Sequence, residues 1–292
     1  MTWFSFHGGH SGEFCRHASG TLGEVLESAR ERGFSVYGVS EHAPRSRVED
    51  LYPDEQDLAP GDLATIFEAY VERAGRLREE LQGRLEVLVG FETEMVPPAG
   101  WLDCMKRIRE SAAFDYTIGS VHHVGDLSID MSPELTARAA ERVGGAAALQ
   151  RAYFEQVTEM TIELGPMIVG HFDLIRKFDG ATPSFEPSVW TTIERALEAV
   201  RAAGALLDVN AAPVRRGLGP PYPLHDILER AQRLGIGVTL GDDSHGPADV
   251  GVGLEACVEA IASAGYREVS CLRRRDGAVL AESVPLGDVR PG

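Results

Sequence analysis

The sequence predicts an α/β fold, a closed β/α barrel of about seven units occupying residues 1–292 as a single domain. Three observations predict it. Short β-like runs alternate with helical ones along the whole chain, which implies a parallel sheet with right-handed crossovers. No Pro/Ser-rich linker divides the series. Polar side chains follow every predicted strand, as on the active face of a closed barrel; an open doubly wound sheet would gather them at one switch point.

The elements follow in order. Residues 2–6 read as a strand, and 21–32 as a helix stopped by Gly33. "SVYGVS" (35–40) is a strand, and 62–83 a helix with an Asp62 cap and a Gly83 stop. "LEVLVGF" (85–91) is a strand rich in branched residues, followed by helix 101–112 and strand "YTIGSV" (116–121). One long helical region covers 134–164, and "MIVG" (167–170) is a strand. Helix 187–203 begins with Pro187 at an N1-like position and precedes strand "LLDVN" (206–210). Helix 224–234, strand "GVTL" (237–240) and helix 253–264 come next. The chain ends in a hairpin, "EVSCLRRRDGAVLAES", turning at Asp276-Gly277.

Composition narrows the function. The formal net charge is −17. Such a surface repels a phosphate backbone, and no Lys/Arg run is long enough to oppose that, so nucleic-acid binding is not expected. No apolar run reaches the length of a membrane span, and "MTWFSF" lacks the layout of a secretory signal. The four cysteines, Cys15, Cys104, Cys257 and Cys271, are widely spaced and form no CxxC pair. A reduced, cytoplasmic setting is the expectation. Cys15 reads as a small buried residue beside the site rather than as a ligand.

The strand ends carry the chemistry. The first supplies His7 and His10, with His17 further along the same loop. The second supplies Glu41 and His42, the third Glu92 and Glu94, the fourth His122 and His123. The fifth leads to His171, the sixth to Asn210, the seventh to Asp242, Asp243 and His245. Polar residues at seven consecutive strand ends, imidazole or carboxylate at six of them, point to metal rather than to separate caps. Of the adjacent His122 and His123, one is expected to point away, Asp242 reads as a support, and His225 as a helix-surface residue. Imidazole with carboxylate and no obvious thiolate suits Zn²⁺, Mn²⁺ or Fe²⁺. The donors are too many for one ion and suit two or three, an arrangement that clamps attacking and leaving oxygens in phosphoryl transfer. Arg176, Arg215 and Arg216 follow strands on the same rim and are candidates to hold phosphate oxygens.

Taken together, "SEHAP", "GFETE", "GSVHHV", "GHFDLIRKF", "DVNAAPVRRG" and "GDDSH" resemble the blocks of the PHP (polymerase and histidinol phosphatase) superfamily. They follow the order of its histidinol-phosphate phosphatase branch, from His7 to His245. The resemblance implies a distorted (β/α)7 TIM-like barrel with a trinuclear metal site at the C-terminal ends of the strands. Carried over by motif, the ligands would be His7, His10, His17, His42, Glu92, His122, His171, Asp243 and His245, with Glu92 bridging two ions. Arg176, Arg215 and Asn210 match positions expected on the substrate side.

The implied reaction is hydrolysis of L-histidinol phosphate, a small phosphorylated substrate, by a metal-bound hydroxide, a step of histidine biosynthesis. Asp243 or His245 would assist the leaving alkoxide. One departure stands out. The family's first motif is usually His-x-His, whereas this chain has His7-Gly8-Gly9-His10. A bulge at the glycine pair would return His7 to the site. Other readings are a phosphoesterase for nucleotides or phosphotyrosine, or a non-catalytic metal-binding module. Amidohydrolase barrels bridge their metals with a modified lysine, and neither Lys106 nor Lys177 directly ends a strand. The 43–60 loop covers the site or forms an interface.

Overall fold

The computed structural model describes residues 2–180 and 183–290. Seven parallel strands form the central sheet: β1 (Phe4–Ser5), β2 (Val36–His42), β3 (Glu86–Glu92), β4 (Tyr116–Gly119), β7 (Ile168–Val169), β8 (Leu206–Asn210) and β9 (Val238–Gly241). Two short strands, β5 (His123–Val124) and β6 (Leu127–Ser128), form an antiparallel hairpin beyond β4. Each central strand pairs with the next in chain order. The Phe6 N–H donates to the Leu240 carbonyl at 2.9 Å, bringing the first and last strands together. The result is a nearly closed, distorted β/α barrel. Residues 36–41 of β2 and 87–92 of β3 are buried without interruption, as strands covered on both faces must be.

Helices α1 (Leu22–Glu31), α2 (Pro60–Glu80), α3 (Trp101–Ser111), α4 (Pro133–Val143), α5 (Ala146–Leu164), α6 (Pro187–Ala203), α7 (Ala212–Arg215), α8 (His225–Arg233) and α9 (Leu254–Ser263) connect the strands. The start of α1 is fixed by a capping box. Thr21 Oγ1 accepts the Glu24 N–H at 3.2 Å, and the Glu24 carboxylate accepts the Thr21 N–H at 2.7 Å. Leu22, Val25, Leu26 and Ala29 then share one helical face and are wholly buried. Each of the two leucines contributes roughly 1.5–3 kcal/mol by leaving water.

The long helical region expected over 134–164 is two helices. Gly144 (φ 99°) and Gly145 (φ 115°) adopt left-handed backbone that ends α4 and reaims α5. The first strand is shorter than 2–6, with Thr2 bridging to Val289 instead. The 123–128 hairpin and the four-residue α7 had no periodic signal of their own. The terminal hairpin, β10 (Glu268–Arg275) with β11 (Ala278–Pro285), pairs Arg275 with Ala278 around Asp276 and Gly277, both at positive φ. Among the described residues, no helix is long and apolar enough to cross a membrane.

Candidate metal centre

Strand register brings the donors together. His42 and Glu92 are partners at the ends of β2 and β3, so one strand end delivers an imidazole beside a carboxylate. Glu92 is 1% exposed and lies at the middle of the set. Its Oε1 lies 3.0 Å from His7 Nε2, 3.0 Å from His171 Nε2 and 3.2 Å from His122 Nε2. Its Oε2 lies 3.2 Å from His42 Nδ1 and 3.9 Å from His10 Nε2. Asp243 joins His7 and His10 in a group whose donor atoms lie within 4.8 Å of one another. Further groups of the same span are His7, Glu92 and His171; His42, Glu94 and His122; and His10, Cys15, His42 and His245.

His7 reaches the cluster despite the extra residue in its motif. Gly8 (φ 133°) and Gly9 (φ 74°) take left-handed backbone. A Cβ on Gly8 would meet Asp242 Oδ1 at 2.4 Å and the Ser244 nitrogen at 2.6 Å, so a side chain is excluded on space as well as φ. The bulge is pinned on both sides: Ser40 N–H donates to the Gly8 carbonyl at 3.0 Å, and Asp243 N–H to the His7 carbonyl at 2.7 Å. His7 ends 1% exposed with its ring facing Glu92.

A second layer of carboxylates holds the rings. His7 Nδ1 donates to Asp208 Oδ2 at 2.6 Å, and His10 Nδ1 to Glu41 Oε2 at 3.0 Å. Both partners fix the tautomer that offers Nε2 inward, as carboxylates behind metal-ligating histidines do. Asp208 was missed from the sequence; its one signal is a charged residue inside the apolar run "LLDVN", two before Asn210 and therefore on the same face. Asn210 Nδ2 donates to Asp208 Oδ2 at 2.9 Å and to Asp243 Oδ2 at 3.4 Å. Asn210 is buried behind the cluster and braces these carboxylates instead of lining the cavity.

The arginines also differ from expectation. Arg176 is buried; its Nε donates to Asp173 at 2.8 Å and its Nη2 to the Pro220 and Pro221 carbonyls, with the guanidinium over the Tyr222 ring. Arg215 donates to the carbonyls of Asp242 and Asp243. Neither is among the residues lining the cavity above the cluster, whereas Lys177 and Arg216 are. His17 stands at the cavity edge, its Nδ1 3.2 Å from Asp54 and its Nε2 3.3 Å from Cys15 Sγ. His123 turns away and stacks on Tyr52. Asp242 accepts from Tyr37 at 2.9 Å and from the Gly251 N–H at 2.8 Å, a support. Tyr52 lies on the cavity wall, so the 43–60 loop contributes to the site.

The donor set fits divalent cations. Nε2 of His7 and His10 and both ring nitrogens of His42 are buried with no hydrogen-bond partner. His7 Nε2 is 3.0 Å from Glu92 Oε1 yet makes no hydrogen bond to it. Buried nitrogens are not left so without compensation. The titration pattern agrees. Burial would lower the pKa of His7, but Glu92 and Asp208 hold it well above its usual value. Burial likewise opposes, and Glu94 and Glu92 outweigh it, in raising His122. Burial would raise Glu92, but His7, His122 and His42 hold it well below the carboxylate range. The cluster draws in positive charge, which a divalent ion supplies without protons.

Barrel and cluster together define a metal-dependent β/α-barrel protein that uses divalent ions at its strand ends. The PHP domain profile matches residues 8–212, and the chain belongs to that family. A Schizosaccharomyces pombe protein named "Probable histidinol-phosphatase" is 40% identical over 248 residues, 83% of this chain and 81% of that one. The solved hisK structure from Listeria monocytogenes aligns with TM-score 0.74 at 26% identity, covering 86% of this chain and 98% of that one. Histidinol phosphate phosphatase from Lactococcus lactis, solved with zinc, L-histidinol and phosphate, shares the fold with TM-score 0.69 at 18% identity, covering 92% and 96% of the two chains.

Proposed function

We propose that this chain is a metal-dependent phosphomonoesterase, a histidinol-phosphatase, that converts L-histidinol phosphate to L-histidinol and phosphate with residues 1–292 acting as one domain. The observation that carries the reading is the convergence of His7, His42, His122 and His171 on the Glu92 carboxylate beneath a cavity of about 230 Å³. The relative at 40% identity bears a histidinol-phosphatase name, which supports the choice of substrate.

Two or three ions of zinc, manganese or iron would be held by His7, His10, His17, His42, Glu92, His122, His171, Asp243 and His245. Such ions supply an activated water near neutral pH and neutralise the phosphoryl oxygens. The chain's own residues do the rest. Glu92 lies within reach of donors on both sides and would serve as the shared ligand. Asp208 and Glu41 keep His7 and His10 in the tautomer that presents Nε2. Asp243 and His245 stand together on the cavity wall, with His245 Nδ1 2.9 Å from the Asp243 carbonyl. Asp243 or His245 would assist proton transfer to the leaving alkoxide. Arg176 and Arg215 hold the rim loops that shape the phosphate end, and Arg216 on the wall is the cation available to meet phosphoryl oxygens.

The test is phosphate release from L-histidinol phosphate, p-nitrophenyl phosphate and a nucleoside monophosphate by metal-analysed protein. The expected result is a large kcat/KM preference for L-histidinol phosphate that disappears when the metal is stripped and returns with zinc or manganese. A preference for the nucleotide or the generic ester would overturn the substrate. No hydrolysis of any ester by metal-loaded protein would overturn the enzyme.

A further inference from the structure

The cavity wall holds one charged group that neither the donor cluster nor phosphate binding explains. Among the described residues lining the cavity, the carboxylates are Glu92, Asp130 and Asp243. Glu92 and Asp243 belong to the histidine cluster. Asp130 does not; it follows the β5–β6 hairpin and its side chain is 15% exposed. Lys177 Nζ donates to its main-chain carbonyl at 2.6 Å and sits 3.3 Å from Oδ2. Ser128 Oγ donates to Oδ1 at 3.4 Å. The carboxylate is therefore held in place at the wall, with acceptor capacity beyond these two partners, since an ionised carboxylate offers about four lone-pair sites. Burial pushes its pKa up, but Lys177 and the nearby histidines more than offset this, so it is ionised.

A phosphate ester gains nothing from a fixed anion in its pocket. A substrate with a cationic end does. L-histidinol phosphate carries a protonated primary amine on the carbon next to its phosphoester CH₂, so the two charges lie close together. A pocket with a metal cluster and a held carboxylate on one wall matches that pairing. Leu174, Leu218 and Tyr222 also line the cavity and offer apolar surface for the imidazole ring. Resting on the histidinol-phosphatase reading above, we propose that Asp130 is the specificity-determining residue that accepts the substrate's ammonium group and selects amino-bearing phosphate esters.

The experiment compares L-histidinol phosphate with its desamino analogue, which keeps the imidazole and the phosphate and lacks the amine. Both are assayed with the metal-loaded wild-type protein and with Asp130→Asn, with metal content measured on each. In the wild type the amine is expected to raise kcat/KM on the order of 10- to 100-fold, the scale of a charge-assisted hydrogen bond. In Asp130→Asn this ratio collapses towards one, mainly through KM, at unchanged metal content. The two substrates and two proteins form a cycle that isolates the amine–carboxylate coupling. A ratio unchanged in the variant overturns the proposal. So does an equal loss on both esters, which would assign Asp130 to holding Lys177 and the hairpin. The wild-type arm decides even if the variant fails to fold, because a wild type indifferent to the amine has no ammonium site. Hydrolysis of p-nitrophenyl phosphate with neither imidazole ester turned over would instead remove the histidinol-phosphate reading itself.

Discussion

The two ends of the barrel handle buried and half-buried acid in opposite ways. At the N-terminal end of the strands, carboxylates meet arginine. Glu86 pairs with Arg273 at 2.8 Å, and Asp115 pairs with Arg274 and lies 3.4 Å from Arg78. Charge is balanced there by permanent cations, and β10 is tied to the barrel by it. At the C-terminal end, Glu92, Asp208 and Asp243 face imidazoles, which balance charge only when protonated. Among the described residues there, Glu94 and Asp173 also meet arginines, Arg45 at 3.1 Å and Arg176 at 2.8 Å. One end is complete as folded. The other is built to be completed by ions, which take the place of protons that its imidazoles would otherwise carry.

The contrast can be broken most forcefully at Glu92. Glu92→Ala removes the group shared by the surrounding histidines, and phosphatase activity is expected to fall on the order of 10³-fold or more. Metal analysis should show fewer ions per chain. A variant that keeps full metal content and activity would remove Glu92 from the centre.

A smaller effect is expected one layer back. Asp208→Asn leaves every inner donor in place but frees the tautomer of His7. Metal affinity is expected to drop about 10- to 100-fold, read by competition with a chelating dye, and activity should recover at high metal concentration. Loss that no metal restores would mean Asp208 acts otherwise than through His7.

The pH dependence sharpens the same point. His7, His10 and His122 have pKa values raised above 6.5, with burial opposing and carboxylates prevailing. They hold protons near neutral pH that a metal must displace. Affinity for zinc should therefore rise with pH throughout the range below the raised values, by about tenfold per pH unit for each proton released, and level off above them. Calorimetry in buffers of different ionisation heat counts those protons. Binding without proton release would contradict the charge balance drawn here.

The other end should respond least. Arg274→Ala removes a pair whose arginine is 38% exposed. Screening by solvent limits the loss to about 1 kcal/mol or less, measured by denaturant unfolding, with phosphatase activity unchanged. A large loss of activity would mean that the two ends are coupled.

Much of this was legible in the sequence because it depends on local order. Strand ends are short-range facts, so His42 after "SVYGVS" and His171 after "MIVG" identify themselves, and a row of such residues defines the rim. What escaped depends on distance along the chain. Asp208 meets His7 across 201 positions, and a lone aspartate in an apolar strand does not announce its partner. Arg176 reads as a phosphate anchor by type and place, but its acceptors are carbonyls 44 and 45 residues away that no periodicity reveals. Asp130 follows a hairpin too short to leave a pattern, and only the cavity shows its position. The break at Gly144-Gly145 was within reach, since paired glycines end helices; the apolar spacing on either side hid it.

The doubled glycine after His7 carries a lesson about recognition by pattern. An extra residue in a ligand motif would ordinarily throw the next imidazole onto the opposite side of the chain. Here two residues without side chains absorb it, and the ring arrives beside Glu92. The candidate metal-binding set is thus assembled in space although its first interval along the chain is one residue longer than the usual motif. A scan keyed to the interval would discard this chain at its tenth residue, whereas one keyed to the positions of strand ends in space would keep it.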